Sequence, residues 1–277
     1  MKTLSELLAQ YHQTGDCLIG FNFNDVWDVQ AICQAAQERN QPVMLMAYTK
    51  VVEVLGLDLI QAIVERMKAR YSVPIYLHLD HCDDVEMCMQ AVDVGFDSVM
   101  IDGSALPLEE NIERTIKVVN YAHAKGAVVE AEIGKIRGRG MTDDDYLASV
   151  ADVKRLAEET GVDMIAVGIG TAHGHYQGKP EINFERLQQI HQSVSTPLVL
   201  HGGTGIPEED IRHSMTFGIT KINVGTAIHT AYMQNLGKQI TKDGIDAYPP
   251  TTISEILPQV KNEVVKYFEM VNPSQVV

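Results

Sequence analysis

The chain has 277 residues, of which 45% are hydrophobic and 21% charged, with a formal net charge of −15. That is ordinary globular composition. So negative a balance argues against nucleic acid or an anionic membrane surface as partner, and no apolar run approaches the roughly 18 residues of a membrane span.

Residues 1–8 read as an amphipathic helix, without the apolar core and cleavage site of a signal peptide. Residues 18–23 form the first short apolar run that reads as a strand. Residues 26–38 follow, with Val29, Ile32, Cys33 and Ala36 on one helical face. The run 43–48 opens behind Pro42, and 59–70 again carries helical spacing at Ile60, Ile63, Val64 and Met67. Strand-like runs 75–80 and 98–102 come next, then a helical segment 112–124 with acidic residues ahead of it, then runs 127–132, 164–168, 198–201 and 220–224. Gly95, Gly126, Gly161 and Gly218 each stand where a helix C-cap wants glycine. Pro42, Pro74 and Pro197 each open a strand, where a missing N–H costs little. Eight strand–helix units without a linker predict one α/β domain over residues 1–277, a single (β/α)8 TIM barrel. The alternative is an open doubly wound sheet, but no G-x-G-x-x-G follows the first strand. Cys17, Cys33, Cys82 and Cys88 form no C-x-x-C pair, which fits reduced thiols in a cytoplasmic protein.

Such a barrel collects its functional groups at the C-terminal ends of the strands and binds phosphate near the loops after strands seven and eight. The polar residues obey that rule. Asn22 ends strand one, Asp80 and His81 strand three, Asp102 strand four, and Glu130 and Glu132 lie on strand five. His173 follows strand six, His201 ends strand seven and Asn223 ends strand eight. Three imidazoles, His81, His173 and His201, suit a divalent ion such as zinc with positions left open for substrate. Asp80 supplies a carboxylate for proton transfer. It shares a strand face with His78, which reads as a buried, hydrogen-bonded residue. Asp83 and Asp84 are better placed to cap the next helix, so Asp80 is free for chemistry. His175 rivals His173, but Gly174 lets backbone approach a ligand and favours His173. His12, His123, His191, His213 and His229 fall in helical or linking segments and read as surface or structural. Asp102, Glu130 and Glu132 make a costly cluster unless cations neutralise it. Asp102 and Glu132 fit a second metal position or outer support of the histidines, and structural ion pairing is the other reading. The glycine-rich loops Gly202-Gly203-Thr204-Gly205 and Asn223-Val224-Gly225-Thr226 offer consecutive backbone N–H groups to an anion.

The segments HLDH, MIDGS, VEAEIG, GIGTAHGHYQGKP, LVLHGGTGI and KINVGT resemble the class II, zinc-dependent ketose-bisphosphate aldolases, the fructose- and tagatose-bisphosphate type, from about residue 21 to 226. The resemblance implies catalytic zinc on His81, His173 and His201, and a second divalent-ion site at Asp102 and Glu132. It implies that Asp80 handles the proton on the C4 oxygen. The dihydroxyacetone phosphate half would meet Gly174, Gly202, Gly203, Thr204, Asn223, Gly225 and Thr226, with Asn22 assisting and a monovalent cation near the phosphate. The implied reaction is reversible cleavage of a ketose 1,6-bisphosphate to dihydroxyacetone phosphate and an aldehyde such as glyceraldehyde 3-phosphate, by a homodimer or homotetramer. A lysine Schiff base would replace the metal in the other aldolase class; Lys221 is a candidate, but it leaves three histidines unexplained.

The chain departs from the family pattern in two places. The loop after strand five carries Arg139 and Gly140 near the positions of a glycine pair followed by acids, with its own acids later, at Asp143 to Asp145. The base of the enediol step is therefore open. No arginine follows Arg212 to hold a second phosphate, and Tyr48 stands where many members have a small hydroxyl residue. Arg137 or Arg139 supplies that cation on one reading. On the other, the substrate is a ketose 1-phosphate whose aldehyde partner is non-phosphorylated or carboxylated. A barrel metallohydrolase and a non-catalytic sugar-phosphate binder are further alternatives; the first lacks its usual His-x-His on strand one.

Overall fold

The computed structural model describes residues 2–134, 146–176, 178 and 180–271. Eight parallel strands close into a barrel in sequence order. They are β1 (Leu18–Asn22), β2 (Val43–Tyr48), β3 (Ile75–Cys82), β4 (Ser98–Ile101), β5 (Val128–Ile133), β6 (Met164–Val167), β7 (Leu198–Leu200) and β8 (Ile219–Val224). Closure comes from β8 pairing back on β1, from Leu18↔Lys221 to Phe21↔Val224. The architecture is the expected (β/α)8 TIM barrel.

The period-two alternation of each strand sorts its residues into two separate cores. Outward residues such as Ile19, Phe21, Leu45, Leu77, Val99 and Ile165 pack under the helices. Inward residues Leu18, Met44, Met46, Tyr76, Val128 and Met164 form a second cluster at the N-terminal end of the barrel. That cluster is completed by Leu4, Leu7, Leu8 and Tyr11 of α1 (Leu4–Thr14). A Thr3–Glu6 capping box starts this helix and a left-handed Gly15 stops it. Its apolar face lies across the barrel like a plug, each large side chain contributing roughly 1.5–3 kcal/mol by burial. At Gly20 a Cβ would lie 2.4 Å from the Met46 sulfur, which would have to shift to admit it.

The connections follow the expected strand–helix alternation, with a second helix added in two places, after β2 and after β8. Between β2 and β3 run two helices, α3 (Thr49–Leu55) and α4 (Leu57–Arg70), split by Gly56. The remaining helices include α2 (Val26–Arg39), α5 (Val85–Val94), α6 (Leu108–His123), α7 (Val150–Thr160), α8 (Phe184–Ser193), α9 (Glu208–Met215), α10 (Thr226–Asp243) and α11 (Pro249–Val271). Asp84, not Asp80, caps α5, accepting a bond from Glu86 N–H. No helix among the described residues is long and apolar enough to cross a membrane.

Candidate active site

The C-terminal ends of the strands surround one mouth, where a cavity of about 750 Å³ is lined by residues from most of them. The decisive irregularity is at the end of β3. A regular strand sends consecutive side chains to opposite faces, so Asp80 and His81 would not both point into the mouth. His81 adopts a left-handed backbone with φ of 50°, at a cost of roughly 1–2 kcal/mol for a residue with a Cβ. The β3–β4 register shifts between Leu79 and Cys82. This kink turns both side chains into the cavity.

The three histidines converge. His81 and His173 have ring centroids 4.8 Å apart, His81 and His201 4.6 Å, and His173 and His201 6.1 Å. One ring nitrogen from each lies within 4.8 Å of the others, and His81, Asp102 and Glu132 form a second such group. The outer nitrogens are committed to carboxylates. His81 Nδ1 lies 2.9 Å from Asp102 Oδ2 and His201 Nε2 lies 2.7 Å from Glu130 Oε1. A carboxylate only accepts, so each of those nitrogens carries a proton. His81 Nε2 and His201 Nδ1 are left facing each other at 2.9 Å. Glu132 Oε2 is buried without a partner, 3.7 Å from both His81 Nδ1 and His201 Nδ1. His175, the rival, instead bonds Thr230 at 3.0 Å and stays outside the cluster.

The electrostatics fit a cation. Burial works against a charged His81, but Asp80, Asp102 and Glu132 outweigh it and raise its pKa to about 10. Burial and the His81 charge lower His173 to about 4. Burial and the nearby Asp102 push the Glu132 carboxyl up to about 8. A proton on His81 thus answers three acidic groups, and a divalent ion on the convergent nitrogens would answer them better. Once that proton leaves, the inner nitrogens of His81 and His201 and the orphaned Glu132 oxygen match the donor set for zinc. Asp102 also accepts from Ser104 N–H and Oγ, at 3.1 and 2.7 Å.

Asp80 is 4% exposed. Asn22 Nδ2 donates to its Oδ2 at 2.8 Å and Asn223 Nδ2 to its Oδ1 at 3.1 Å. Burial pushes the Asp80 carboxyl up, yet the charges of His81 and His201 hold it below the usual range. It is ionised at neutral pH and clamped on both oxygens. His78 is fully buried against Ser98, as the sequence suggested, with Nδ1 to Oγ 2.9 Å. Lys221 is not available to form a Schiff base: it is fully buried, with Nζ 2.6 Å from Glu130 Oε2.

The phosphate-type loops lie together on the β7–β8 side. Gly174, Gly202, Thr204, Gly225 and Thr226 line the cavity with Asn22 and Asn223. Gly203 does not; its N–H is spent on the Asn223 carbonyl at 3.0 Å, which staples β7's loop to β8. Gly202 has φ of 69°, and a Cβ there would meet the Ala172 carbonyl oxygen at 2.4 Å. At Gly225 a Cβ would press on Asn22 Oδ1 at 2.6 Å, so a side chain there would displace the amide that holds Asp80. Arg137 and Arg139, with the acids 143–145, lie outside the described residues.

Three contributors escaped the sequence reading. The Tyr176 hydroxyl donates to the Gly202 carbonyl and accepts from Ala172 N–H, both at 3.0 Å, tying the His173 loop to β7's loop. Ser104 buttresses Asp102. His229 lines the cavity edge-on to Tyr48, with centroids 5.9 Å apart; α10 starts straight after β8, so its first turn faces the mouth. Burial lowers the His229 pKa.

Closed parallel barrels with imidazoles and carboxylates clustered at the strand C-termini form a class of metal-dependent enzymes, and this fold and site fall within it. The family model for class-II fructose-bisphosphate aldolase matches residues 2–275, and the chain belongs to that zinc-dependent family of aldolases, which are lyases. It is 39% identical over 255 residues to the 6-phospho-5-dehydro-2-deoxy-D-gluconate aldolase of Bacillus velezensis, covering 90% of this chain and 87% of that one. It is 41% identical over 230 residues to a fructose-bisphosphate aldolase of Staphylococcus aureus, covering 81% and 80%. The crystal structure of the YdjI aldolase from Escherichia coli K12 superposes with a TM-score of 0.85 at 28% identity, covering 97% of this chain and 96% of that one.

Proposed function

We propose that the chain is a zinc aldolase that reversibly cleaves a ketose 1-phosphate, releasing dihydroxyacetone phosphate and an aldehyde. The observation that carries this reading is Asp80, ionised and held by two amides, beside the convergent nitrogens of His81, His173 and His201. A divalent ion on those nitrogens supplies, when bound, Lewis acidity toward the substrate carbonyl. Asp80 accepts the C4 hydroxyl proton during cleavage and returns it during condensation. Asn22 and Asn223 keep that carboxylate aimed. Free backbone N–H groups at Gly225 and Thr226, at the start of the 18-residue α10, suit the phosphate. Asp102 and Glu132 support His81 and offer a second cation position.

A single phosphate is favoured because no lysine or arginine lines the cavity among the described residues, where Tyr48 and His229 form part of the wall. A 1,6-bisphosphate substrate is the second reading, favoured by the family name and by the arginines at 137 and 139. The test is condensation of dihydroxyacetone phosphate with aldehydes carrying a terminal phosphate, a carboxylate or neither, before chelation, after it and after zinc is restored. Turnover of the unphosphorylated set that vanishes with chelation supports the proposal. Activity surviving full metal removal refutes zinc, and turnover of phosphorylated aldehydes alone restores the bisphosphate reading.

A further inference from the structure

Beneath the candidate metal position lies a polar layer that the proposed chemistry does not use. Glu130 and Lys221 come from β5 and β8 and meet in the barrel axis, both fully buried, with Nζ 2.6 Å from Oε2. A buried ion pair contributes little net stability and is often replaceable by apolar residues. This one is not a closed pair, because the other Glu130 oxygen lies 2.7 Å from His201 Nε2.

That nitrogen has a second neighbour of opposite character. Asn223 Nδ2, an N–H donor, lies 3.0 Å from it while also donating to Asp80. Neutral imidazole has one proton and two places to put it. With Glu130 present, an acceptor-only group at the shorter distance draws the proton to Nε2 and leaves Nδ1 open toward His81 Nε2, 2.9 Å away. With Glu130 gone, the amide donor alone would face Nε2. A charged His81 would still present its own N–H to Nδ1, so donors would face both nitrogens and nothing would hold the proton on Nε2, away from the metal position.

We infer that the Glu130–Lys221 pair is a positioning device that selects the His201 tautomer and so presents Nδ1 as a metal ligand, a role resting on the proposed ligation by His201. Lys221 supplies the counter-charge that lets a carboxylate sit in the barrel axis. His78 borders the same layer, with Nε2 3.8 Å from Glu130 Oε2, 3.9 Å from Asp80 Oδ1 and no hydrogen-bond partner. It is too far to take over either bond.

The test compares two double variants in the full chain. Glu130→Gln with Lys221→Met removes both charges but keeps an amide oxygen to accept from His201. Glu130→Leu with Lys221→Met removes the charges and the acceptor. Zinc affinity is read by competition with a chromophoric chelator, and the His201 tautomer by long-range proton–nitrogen NMR of the metal-free protein. The Gln variant should bind zinc within a few-fold of the parent with the Nε2–H tautomer. The Leu variant should bind about 10–100-fold more weakly, the usual loss of an outer partner, with its His201 proton no longer fixed on Nε2. Equal affinity and tautomer in the two folded variants would overturn the inference. Should the Leu variant not fold, Glu130→Ala with Lys221→Met takes its place: zinc affinity and tautomer equal to those of the Gln variant overturn the inference, and a loss of both supports it. Both readouts are independent of any sugar substrate, so a failed aldolase assay leaves the inference standing, while a correct tautomer leaves the proposed reaction to its own test.

Discussion

Replacing Asp80 by asparagine separates the two jobs this residue has. The side chains are nearly isosteric, and no nitrogen of His81, His173 or His201 is touched. Both Asp80 oxygens accept from amides, Asn22 at 2.8 Å and Asn223 at 3.1 Å. An asparagine presents one oxygen and one NH2, so one of those donors would face another donor in a buried place. Leaving one buried group unsatisfied costs about 1–3 kcal/mol. The carboxylate's acid–base role is worth typically 10²–10⁴ in rate, equivalent to about 3–5 kcal/mol of barrier. The variant should therefore fold with a lowered melting temperature, retain zinc close to the parent's stoichiometry by elemental analysis, and lose two to four decades of kcat. Cleavage would be followed by coupled reduction of the released dihydroxyacetone phosphate. A zinc-loaded Asp80→Asn enzyme with kcat within tenfold of the parent would remove Asp80 from proton transfer.

Two further perturbations act through the surroundings of the site. Gly202→Ala forces a Cβ against the Ala172 carbonyl oxygen, at 2.4 Å, in a left-handed backbone; the strain, about 1–3 kcal/mol, falls on the residue before His173, so zinc affinity should drop about tenfold or more, and unchanged affinity in a chelator competition would refute that coupling. Burial, then the Lys221 charge, hold the His78 imidazole well below the ordinary histidine range. The unfolded chain thus takes up a proton near pH 6.5 that the native chain refuses. This contribution to stability is full above that pH and is lost as pH falls, at up to about 1.4 kcal/mol per pH unit. Urea midpoints measured from pH 7.5 to 5 should decline, less steeply in His78→Gln; identical slopes in parent and variant would show that His78 charges in the native state.

Much of the barrel is legible from the chain because strand alternation is a local signal. The expected strands fall within two residues of β1 to β8, and the polar residues at their ends mark the mouth. What escaped depends on relations that sequence spacing does not encode. The seven-residue α3 was missed because Val51 and Val52 give too short an apolar pattern to fix a period. The left-handed turn at His81 reverses the facing that alternation predicts, and nothing in HLDH announces it. Glu130 and Lys221 are 91 residues apart in the chain, yet they meet because both point inward from strands of one closed barrel, with only β6 and β7 between them. Tyr176 lay in plain sight within GIGTAHGHYQGKP, but its hydroxyl bonds two backbone segments that only the closed barrel brings together. His229 reads from sequence as surface or structural, but it lies in the first turn of α10, which makes it part of the cavity wall.

Among the described residues, the plug formed by α1 leaves traffic through the molecule one doorway. Leu4, Leu7, Leu8 and Tyr11 stop one end of the tube, and Met46 over Gly20 obstructs the channel above them. Substrate, both fragments and any exchanged proton must therefore pass in and out on the same side.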